Sequence, residues 1–250
     1  MNYDWSWGVF LDPSLDGTRS YLQMLFVGVG WTLTLAACAW TIALLLGSLI
    51  GTLRCVTNKP LKFVATVYVE VFRNIPLLVQ LFLWYFVLPD FLPSAMSTAL
   101  KQLPHPWGAF CLAVLAMGCY GAARLAETLR AGIESLPRGQ MLAARAMGLT
   151  EYQAYRHIIL PEAFRIILPP MTSELMGTIK YSSVALTIGL LELTGQARSM
   201  ADFSFHIFEA FCAATVGYLL INGAVSQGMR MLERHVAVPG LIGAAPKDAA

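Results

Sequence analysis

Six charged residues lie within apolar stretches of this chain, and their types and spacing are suited to binding a charged small molecule. They are Glu70, Arg73, Arg124, Glu127, Glu174 and Lys180. An arginine or a lysine can hold a carboxylate, and a carboxylate can hold an ammonium group. The hydroxyls of Ser182 and Ser183 adjoin Lys180 and complete our candidate lining of a polar passage. Because three acids balance three bases, this set does not choose between acidic, neutral and basic molecules.

The same charges also have a structural interpretation, in which they neutralise one another and fix the packing of helices. Glu70 and Arg73 are three residues apart, so they lie on one face of a helix. A second ladder follows at spacings of three and four, formed by Arg124, Glu127, Arg130 and Glu134. The spacing alone leaves both interpretations open.

No recognisable catalytic or metal-binding constellation accompanies these charges. The four histidines are scattered, without the spacing of metal ligands or a paired nucleophile. No phosphate-binding loop of the form G-x-x-x-x-G-K-[ST] occurs, so we expect no ATP site on this chain. The net charge of +2 gives no indication of nucleic-acid binding. We therefore expect a protein that is not an enzyme and that carries no metal and no cofactor of its own.

The elements that must position these charges are membrane helices. The chain of 250 residues is 57% hydrophobic and 13% charged, with a mean hydropathy of +0.61. A helix of about 20 apolar residues crosses the hydrocarbon core. We predict one all-α membrane domain, residues 1–250, with five spans at about 22–52, 63–88, 107–131, 162–188 and 208–231. Kinks are expected near Pro76 and at Pro169-Pro170, since an interior proline removes a backbone hydrogen bond.

The loop charges predict the orientation of these spans, because cytoplasmic loops carry an excess of lysine and arginine. If the N-terminus is outside, only Arg19, Lys101 and Arg198 of the loop residues face outward. Most of the remaining lysines and arginines, including Arg54 and Lys247, then face inward. We predict a periplasmic N-terminus, a cytoplasmic C-terminus and a cytoplasmic loop at about 136–161.

This loop is a long basic, amphipathic segment in a chain that otherwise avoids water. Its stretch from Gln140 to Met147 has strong helix formers, and Gly148 is suited to ending that helix in the left-handed conformation. Thr150 and Gln153 are spaced as a capping box for a second short helix. That helix would place Tyr152, Tyr155 and Ile159 on one face. This chemistry leaves open whether the segment is a solvated loop or a docking site.

The spacing within the segment resembles the coupling motif of ATP-binding-cassette importer permeases. The motif is written EAA, three residues, G, nine residues, IxLP, and the matching residues are Ala143, Ala144, Gly148, Ile158, Leu160 and Pro161. Gly139 and Gln140, in the lead-in LPRGQ, resemble the corresponding positions of permeases for polar amino acids. The acidic first residue of the motif is Leu142 in this chain. We expect its polar contact to be absent or replaced.

The resemblance extends along most of the chain. YVEVFRNIPLLVQLF and KYSSVAL are similar to the signatures of the second and fourth spans in that family. DWSWGVF, PPMTSELM and LTGQARSMADFSFHIFEAF look like the permease subunits of glutamate/aspartate importers in Gram-negative bacteria.

The resemblance implies a type I importer permease of the bacterial inner membrane. Its short cytoplasmic helix would fit a groove on an ATPase subunit. The implied partners are a second permease, identical or paralogous, two ATPase subunits that carry ATP and Mg, and a periplasmic amino-acid-binding protein. The implied cargo is a polar amino acid, most narrowly glutamate or aspartate.

Two other functions are compatible with an apolar chain that contains buried charges. One is an amino acid transporter driven by an ion gradient, although such folds usually show internal repeats and none stands out in this sequence. The other is a membrane scaffold, in which the buried charges are purely structural.

Overall fold

The computed structural model describes residues 3–14 and 17–236, and within them the protein is helical without a β-strand. The α-helices are α1 (Tyr21–Cys55), α2 (Lys59–Asn74), α3 (Leu77–Phe82), α4 (Leu88–Phe91), α5 (Ser94–Lys101), α6 (Trp107–Ser135), α7 (Arg138–Ala146), α8 (Glu151–Ala154), α9 (Leu160–Tyr181), α10 (Leu193–Ser204) and α11 (Ile207–Val236). Short 3-10 helices occupy Trp7–Leu11 and Ser182–Ile188, and π-helical turns occupy Leu83–Val87 and Tyr155–Ile159. Lys247 and the predicted C-terminal end lie outside the described residues.

The first long helix begins at a capping box. The Ser20 hydroxyl accepts a hydrogen bond from the Gln23 amide at 3.4 Å, and the Gln23 side chain accepts one from the Ser20 amide at 3.1 Å. Two of the N–H groups that a helix start leaves without partners are thereby satisfied. From this cap α1 continues for 35 residues to Cys55.

Helices α1 and α6 pack against each other through small residues and form the centre of the fold. A Cβ at Gly47 would lie 2.9 Å from the Ala122 carbonyl oxygen, and one at Gly51 would lie 2.8 Å from the Ala126 carbonyl oxygen. Glycine and alanine let two backbones approach closely, which is how helices associate without a hydrophobic driving force in lipid. This close contact holds the polar face of α6 at a fixed distance from the end of α1.

Within the described residues, three helices are long and apolar enough to cross a membrane, namely α1, α6 and α11. A fourth span is present if α2 and the stretch Leu77–Phe91 are counted as one broken span. The three helices confirm the apolar segments predicted at 22–52, 107–131 and 208–231. The predicted total of five spans stays a prediction, because α9 does not meet the same criterion.

The predicted span at 63–88 is broken rather than merely kinked. Helix α2 ends at Asn74, and the following stretch Leu77–Phe91 is inclined to it by 102°. Pro76 disfavours the helical conformation at Ile75, whose φ and ψ are −92° and 129°. The buried Gln80 side chain donates to the carbonyls of Phe72 at 2.7 Å and Ile75 at 2.8 Å. Carbonyls left free by the break are thus satisfied, as a low-dielectric environment requires.

Within the predicted span 162–188, the α-helix changes to a 3-10 helix near the C-terminal end. Helix α9 runs without interruption from Leu160 to Tyr181 and includes Pro169 and Pro170. It then tightens into the 3-10 helix Ser182–Ile188, which ends at Gly189 with φ +85°. Lys180 therefore lies at the last turn of α9, beside the point where the helix narrows.

Candidate functional site

The predicted docking segment is a helix, a sharp turn and a second helix. Helix α7 ends in a Schellman motif: the Gly148 amide donates to the Arg145 carbonyl at 3.0 Å, and the Leu149 amide donates to the Ala144 carbonyl at 3.1 Å. Gly148 has φ +80°, a conformation that glycine adopts without steric cost. This confirms the role predicted for Gly148 as the end of the first helix.

The second helix begins at the predicted capping box. The Thr150 hydroxyl accepts from the Gln153 amide at 3.3 Å, and the Gln153 side chain accepts from the Thr150 amide at 2.9 Å. Of the three residues predicted on one face of this helix, Ile159 is buried, Tyr155 is half-buried and Tyr152 is exposed. The helix widens to a π turn over Tyr155–Ile159, which changes the residue spacing along that face.

Two contacts attach this segment to the end of α1. The Tyr155 hydroxyl donates to the Cys55 carbonyl at 2.9 Å, and the Thr57 hydroxyl donates to Glu151 at 3.2 Å. Burial raises the pKa of Tyr155 to about 12, so its hydroxyl remains protonated at neutral pH and keeps donating. A displacement of the segment would therefore act directly on the last turn of α1.

The motif residues divide into an exposed group and a packed group. Gly139, Ala143, Gly148 and Pro161 are exposed, whereas Gln140, Ile158 and Leu160 are half-buried. Ala144 is fully buried within the chain. The small side chain of Ala144 therefore packs inside the segment, whereas Ala143 lies on its outer face. Leu142 and Met147, 64% and 69% exposed, are the large apolar side chains on the outer face of α7.

Inside the predicted spans, Arg124 of α6 and Glu174 of α9 form a two-point ion pair. The Arg124 Nε lies 2.6 Å from Glu174 Oε2, and its Nη2 lies 2.9 Å from Oε1. A guanidinium fork matches a carboxylate in this way and fixes both position and orientation. The pair links α6 to α9 and gives each charge an oppositely charged partner.

Glu127 is the centre of a second charge cluster. It forms an ion pair with Arg54, and its Oε1 lies 2.6 Å from Arg130 Nη2. Arg73 Nη1 lies 3.8 Å from Glu127 Oε2, and Arg130 also pairs with Glu134 at 2.5 Å. The predicted ladder through Glu127, Arg130 and Glu134 is confirmed, whereas Arg124 turns away from it toward α9.

Arg54, which we predicted to lie in a cytoplasmic loop and did not count among the candidate residues, belongs to this cluster. Its side chain is only 10% exposed and lies at the last turn of α1, beside Glu127. A signal was present in the sequence, since Arg54 directly follows the long uncharged run that begins after Arg19. A lone cation at the end of such a run needs a carboxylate if the helix is packed on both sides.

Glu70 and Arg73, for which the spacing left mutual pairing open, do not pair with each other. The Glu70 carboxylate accepts instead from Asn74 Nδ2 at 3.1 Å, and Arg73 is directed toward Glu127. Both Glu70 and Arg73 are exposed on α2 in the isolated chain. Glu127 attracts Arg73 because α2 packs against α6, a contact that residue spacing within one helix does not reveal.

Four of the eight candidate path residues line one cavity. A cleft of about 560 Å³ lies between α2, α6 and α9, and its walls include Arg73, Arg124, Glu127 and Glu174. Gly132 and Pro170 contribute apolar wall to the same cleft. The tertiary structure thus brings together charges that are far apart in sequence.

Lys180 and Ser183 lie elsewhere, in a second cavity of about 540 Å³ beside α11. The Ser183 hydroxyl donates to the Lys180 carbonyl at 2.8 Å. Ser182 is fully buried, and its hydroxyl donates to the Ile179 carbonyl at 2.7 Å. Six of the eight candidate path residues are therefore distributed over two cavities, and Glu70 and Ser182 are not among the described lining of either.

Most of the chain matches the model of one protein family. The model of the family described as "Binding-protein-dependent transport system inner membrane component" matches residues 43–238. The glutamate/aspartate import permease protein GltJ of Escherichia coli (strain K12) is 47% identical over 97% of this chain and 99% of its own length. The probable glutamine ABC transporter permease protein GlnM of Bacillus subtilis (strain 168) is 33% identical over 86% of this chain and 94% of its own length.

Solved structures show the same arrangement of helices. A chain from the crystal structure of an amino acid ABC transporter with histidines has a TM-score of 0.73 and 33% identity, and the match covers 86% of this chain and 95% of that one. A chain of the inward-facing MetNI methionine ABC transporter has a TM-score of 0.70 at 21% identity, covering 87% and 98%. At that lower identity the likeness concerns the fold alone.

Proposed function

We propose a specific transport function for this chain, which belongs to the family of inner membrane components of binding-protein-dependent transport systems. The chain is a permease subunit of such an importer and not an enzyme. We propose that its cargo is an acidic amino acid, glutamate or aspartate. The observation that carries the proposal is the 47% identity over 97% of the chain to a glutamate/aspartate import permease protein.

Within this proposal the chain crosses the inner membrane five times, with α9 and the following 3-10 helix as the fourth span. Its N-terminus is periplasmic, its C-terminus cytoplasmic, and the segment 136–161 faces the cytoplasm. A second permease, identical or paralogous, pairs with it, and a periplasmic binding protein delivers the amino acid. Two ATPase subunits supply the ATP and Mg sites that this chain lacks in sequence.

The coupling step uses the outer face of α7. Leu142, Ala143 and Met147 are exposed there, with the turn at Gly148 setting the angle between the two short helices. ATP binding draws the ATPase subunits together, and the docked segment carries that motion through Tyr155 and Thr57 to the end of α1. The passage then changes between inward-facing and outward-facing forms. The exposed apolar face of α7 supports this proposal. Leu142 stands where the usual motif has an acidic residue, so an apolar contact with the ATPase replaces a polar one.

A transporter driven by an ion gradient and a membrane scaffold were the alternatives. Because the chain belongs to a family of binding-protein-dependent transport systems, no specific observation favours either alternative.

The test is co-purification of the tagged chain with its ATPase. Leu142→Arg places a charge on the exposed face of α7 and should abolish co-purification without unfolding the chain, because the side chain is 64% exposed. Thr98→Arg, at an exposed position of α5, is the matched control and should retain the ATPase. Retention by Leu142→Arg would show that α7 is not the docking face.

The same complex in proteoliposomes tests the cargo. With ATP inside and binding protein outside, we expect uptake of glutamate and aspartate but not of histidine. Histidine uptake without glutamate uptake would contradict an acidic cargo while leaving the ATP-driven mechanism intact.

A further inference from the structure

The cavity beside Lys180 has the composition of a binding site for an amino acid. It lies between the end of α9, the start of α10 and the middle of α11. Its polar wall consists of Lys180, Ser183, Thr194, Thr215, Tyr218 and Asn222. Its volume of about 540 Å³ is within the range of small-molecule sites. Lys180 is the charged residue among the described residues that line it, so the wall is cationic.

Among the described residues Lys180 has no oppositely charged partner, unlike Arg124 and Glu127 of the first cavity. Arg124 is engaged by Glu174 through two hydrogen bonds, and Glu127 is engaged by Arg54 and Arg130. No carboxylate of the described chain lies within 4.0 Å of the Lys180 ammonium group. Lys180 is exposed in the isolated chain. Within a membrane, an ammonium group at this depth is stabilised when it acquires an anion.

Asn222 provides a second unsatisfied group in the same wall. Its Nδ2 donates to the Tyr218 carbonyl at 2.8 Å, which fixes the orientation of the amide. Its Oδ1 is buried and accepts no hydrogen bond from the described residues. A buried acceptor without a donor is costly, so a ligand that donates a hydrogen bond would be favoured here.

The buried carboxylate of Glu192, which caps the start of α10, is already satisfied. Glu192 is fully buried and accepts from the Tyr218 hydroxyl at 2.7 Å, the Gly195 amide at 2.9 Å and the Thr194 amide at 3.0 Å. The Thr32 hydroxyl of α1 also donates to it. These bonds hold Tyr218 and Thr194 in place, and they satisfy the Glu192 carboxylate without a contribution from Lys180.

We propose that this cavity, rather than the ion-paired cleft, is where the permease holds a carboxylate of the transported amino acid. Lys180 binds the carboxylate, and Asn222 Oδ1 accepts a hydrogen bond from the ammonium group. This inference rests on the proposed function of the chain as an amino acid permease. An anionic lipid headgroup offers the same charge to Lys180, and the experiment below separates the two sources.

The first arm measures glutamate uptake by the complete importer in proteoliposomes at saturating binding protein. Lys180→Met should lower the rate about tenfold or more, since a hydrogen bond to a charged group is lost. Lys180→Arg should restore a large part of it. Lys101→Met is the matched control, because Lys101 forms an exposed pair with Asp90 that contributes little. All variants are compared at equal amounts of assembled complex, so a folding defect is seen separately.

The second arm reports occupancy directly. Ser183→Cys, in a chain whose five native cysteines are replaced, is labelled with a maleimide in nanodiscs of zwitterionic lipid. Glutamate should slow the labelling, and Lys180→Met should remove that protection. Protection by anionic lipid but not by glutamate would assign the cavity to a headgroup and overturn the proposal.

The two proposals fail in different ways. If the unaltered importer takes up neither glutamate nor aspartate, the proposed cargo is wrong. If it takes them up, and Lys180→Met transports at the same rate without altered protection, only the assignment of the cavity is wrong.

Discussion

At the scale of single residues, several ion pairs of this protein join charges on different helices. Arg124 and Glu174 are 50 residues apart in sequence and form the two-point pair between α6 and α9. Their side chains are 35% and 19% exposed, so solvent screens the pair only in part. Breaking one partner of such a pair leaves the other charge without compensation, which costs more than removing both.

A double-mutant cycle on Arg124→Gln and Glu174→Gln should show this asymmetry. Each single change should lower the free energy of unfolding, and the double change should cost less than their sum, with a coupling of about 1–3 kcal/mol. Thermal unfolding of the purified chain in detergent measures all four forms.

The exposed pair of Lys101 and Asp90 is the control cycle, with side chains 58% and 68% exposed. Its coupling should stay below about 1 kcal/mol. Equal couplings in the two cycles would mean that the Arg124–Glu174 pair adds no more than a surface contact.

At the scale of helices, close contact depends on where small residues lie along α1. Gly28 faces α10, and a Cβ there would lie 2.8 Å from the Leu193 Cα. Gly30, two residues further, has nothing within 4 Å of its would-be Cβ. The neighbour of Gly28 is backbone at the start of α10, which cannot move aside as a flexible side chain can.

Gly28→Ala should therefore destabilise the protein by about 1–3 kcal/mol through overpacking. Gly30→Ala should be neutral or stabilise by up to about 1 kcal/mol, since alanine is the better helix former. The two melting temperatures should then differ by several degrees, roughly 2–4 °C for each kcal/mol. A melting temperature for Gly28→Ala at or above that of Gly30→Ala would contradict the close contact of α1 with α10.

At the scale of the whole molecule, the orientation in the membrane decides which face meets the ATPase. Thr98 on α5 and His157 in the segment 136–161 are both exposed in the chain. They belong to loops that the charge distribution assigns to opposite sides of the membrane.

Labelling with a membrane-impermeant maleimide in a cysteine-free background tests this orientation. Thr98→Cys should react in intact spheroplasts, whereas His157→Cys should react only after the membrane is permeabilised. The opposite result would invert the predicted topology and would remove the docking role of α7.

The candidate site was predictable where local chemistry decides structure. The structural roles of Gly148, Thr150 and Gln153 depend only on residues a few positions away in the chain. Each of the three has the conformation or the contacts that the spacing predicts. Arg54 and Glu192 escaped prediction for the opposite reason. Arg54 is paired with a residue 73 positions away, and Glu192 accepts hydrogen bonds from α1 and α11.

The sequence by itself determined the membrane class, three of the apolar helices, a distortion of the helix near Pro76 and the two short helices of the segment 136–161. These features depend on hydropathy, backbone sterics and capping, all of which act over one to a few turns of chain. Only the tertiary structure decided that Arg73 turns from Glu70 to Glu127, that Ala144 packs inward, and that Lys180 lies in a different cavity from Arg124. The reason is that a charge in a low-dielectric interior pairs with the nearest opposite charge in space, and helix packing sets that distance.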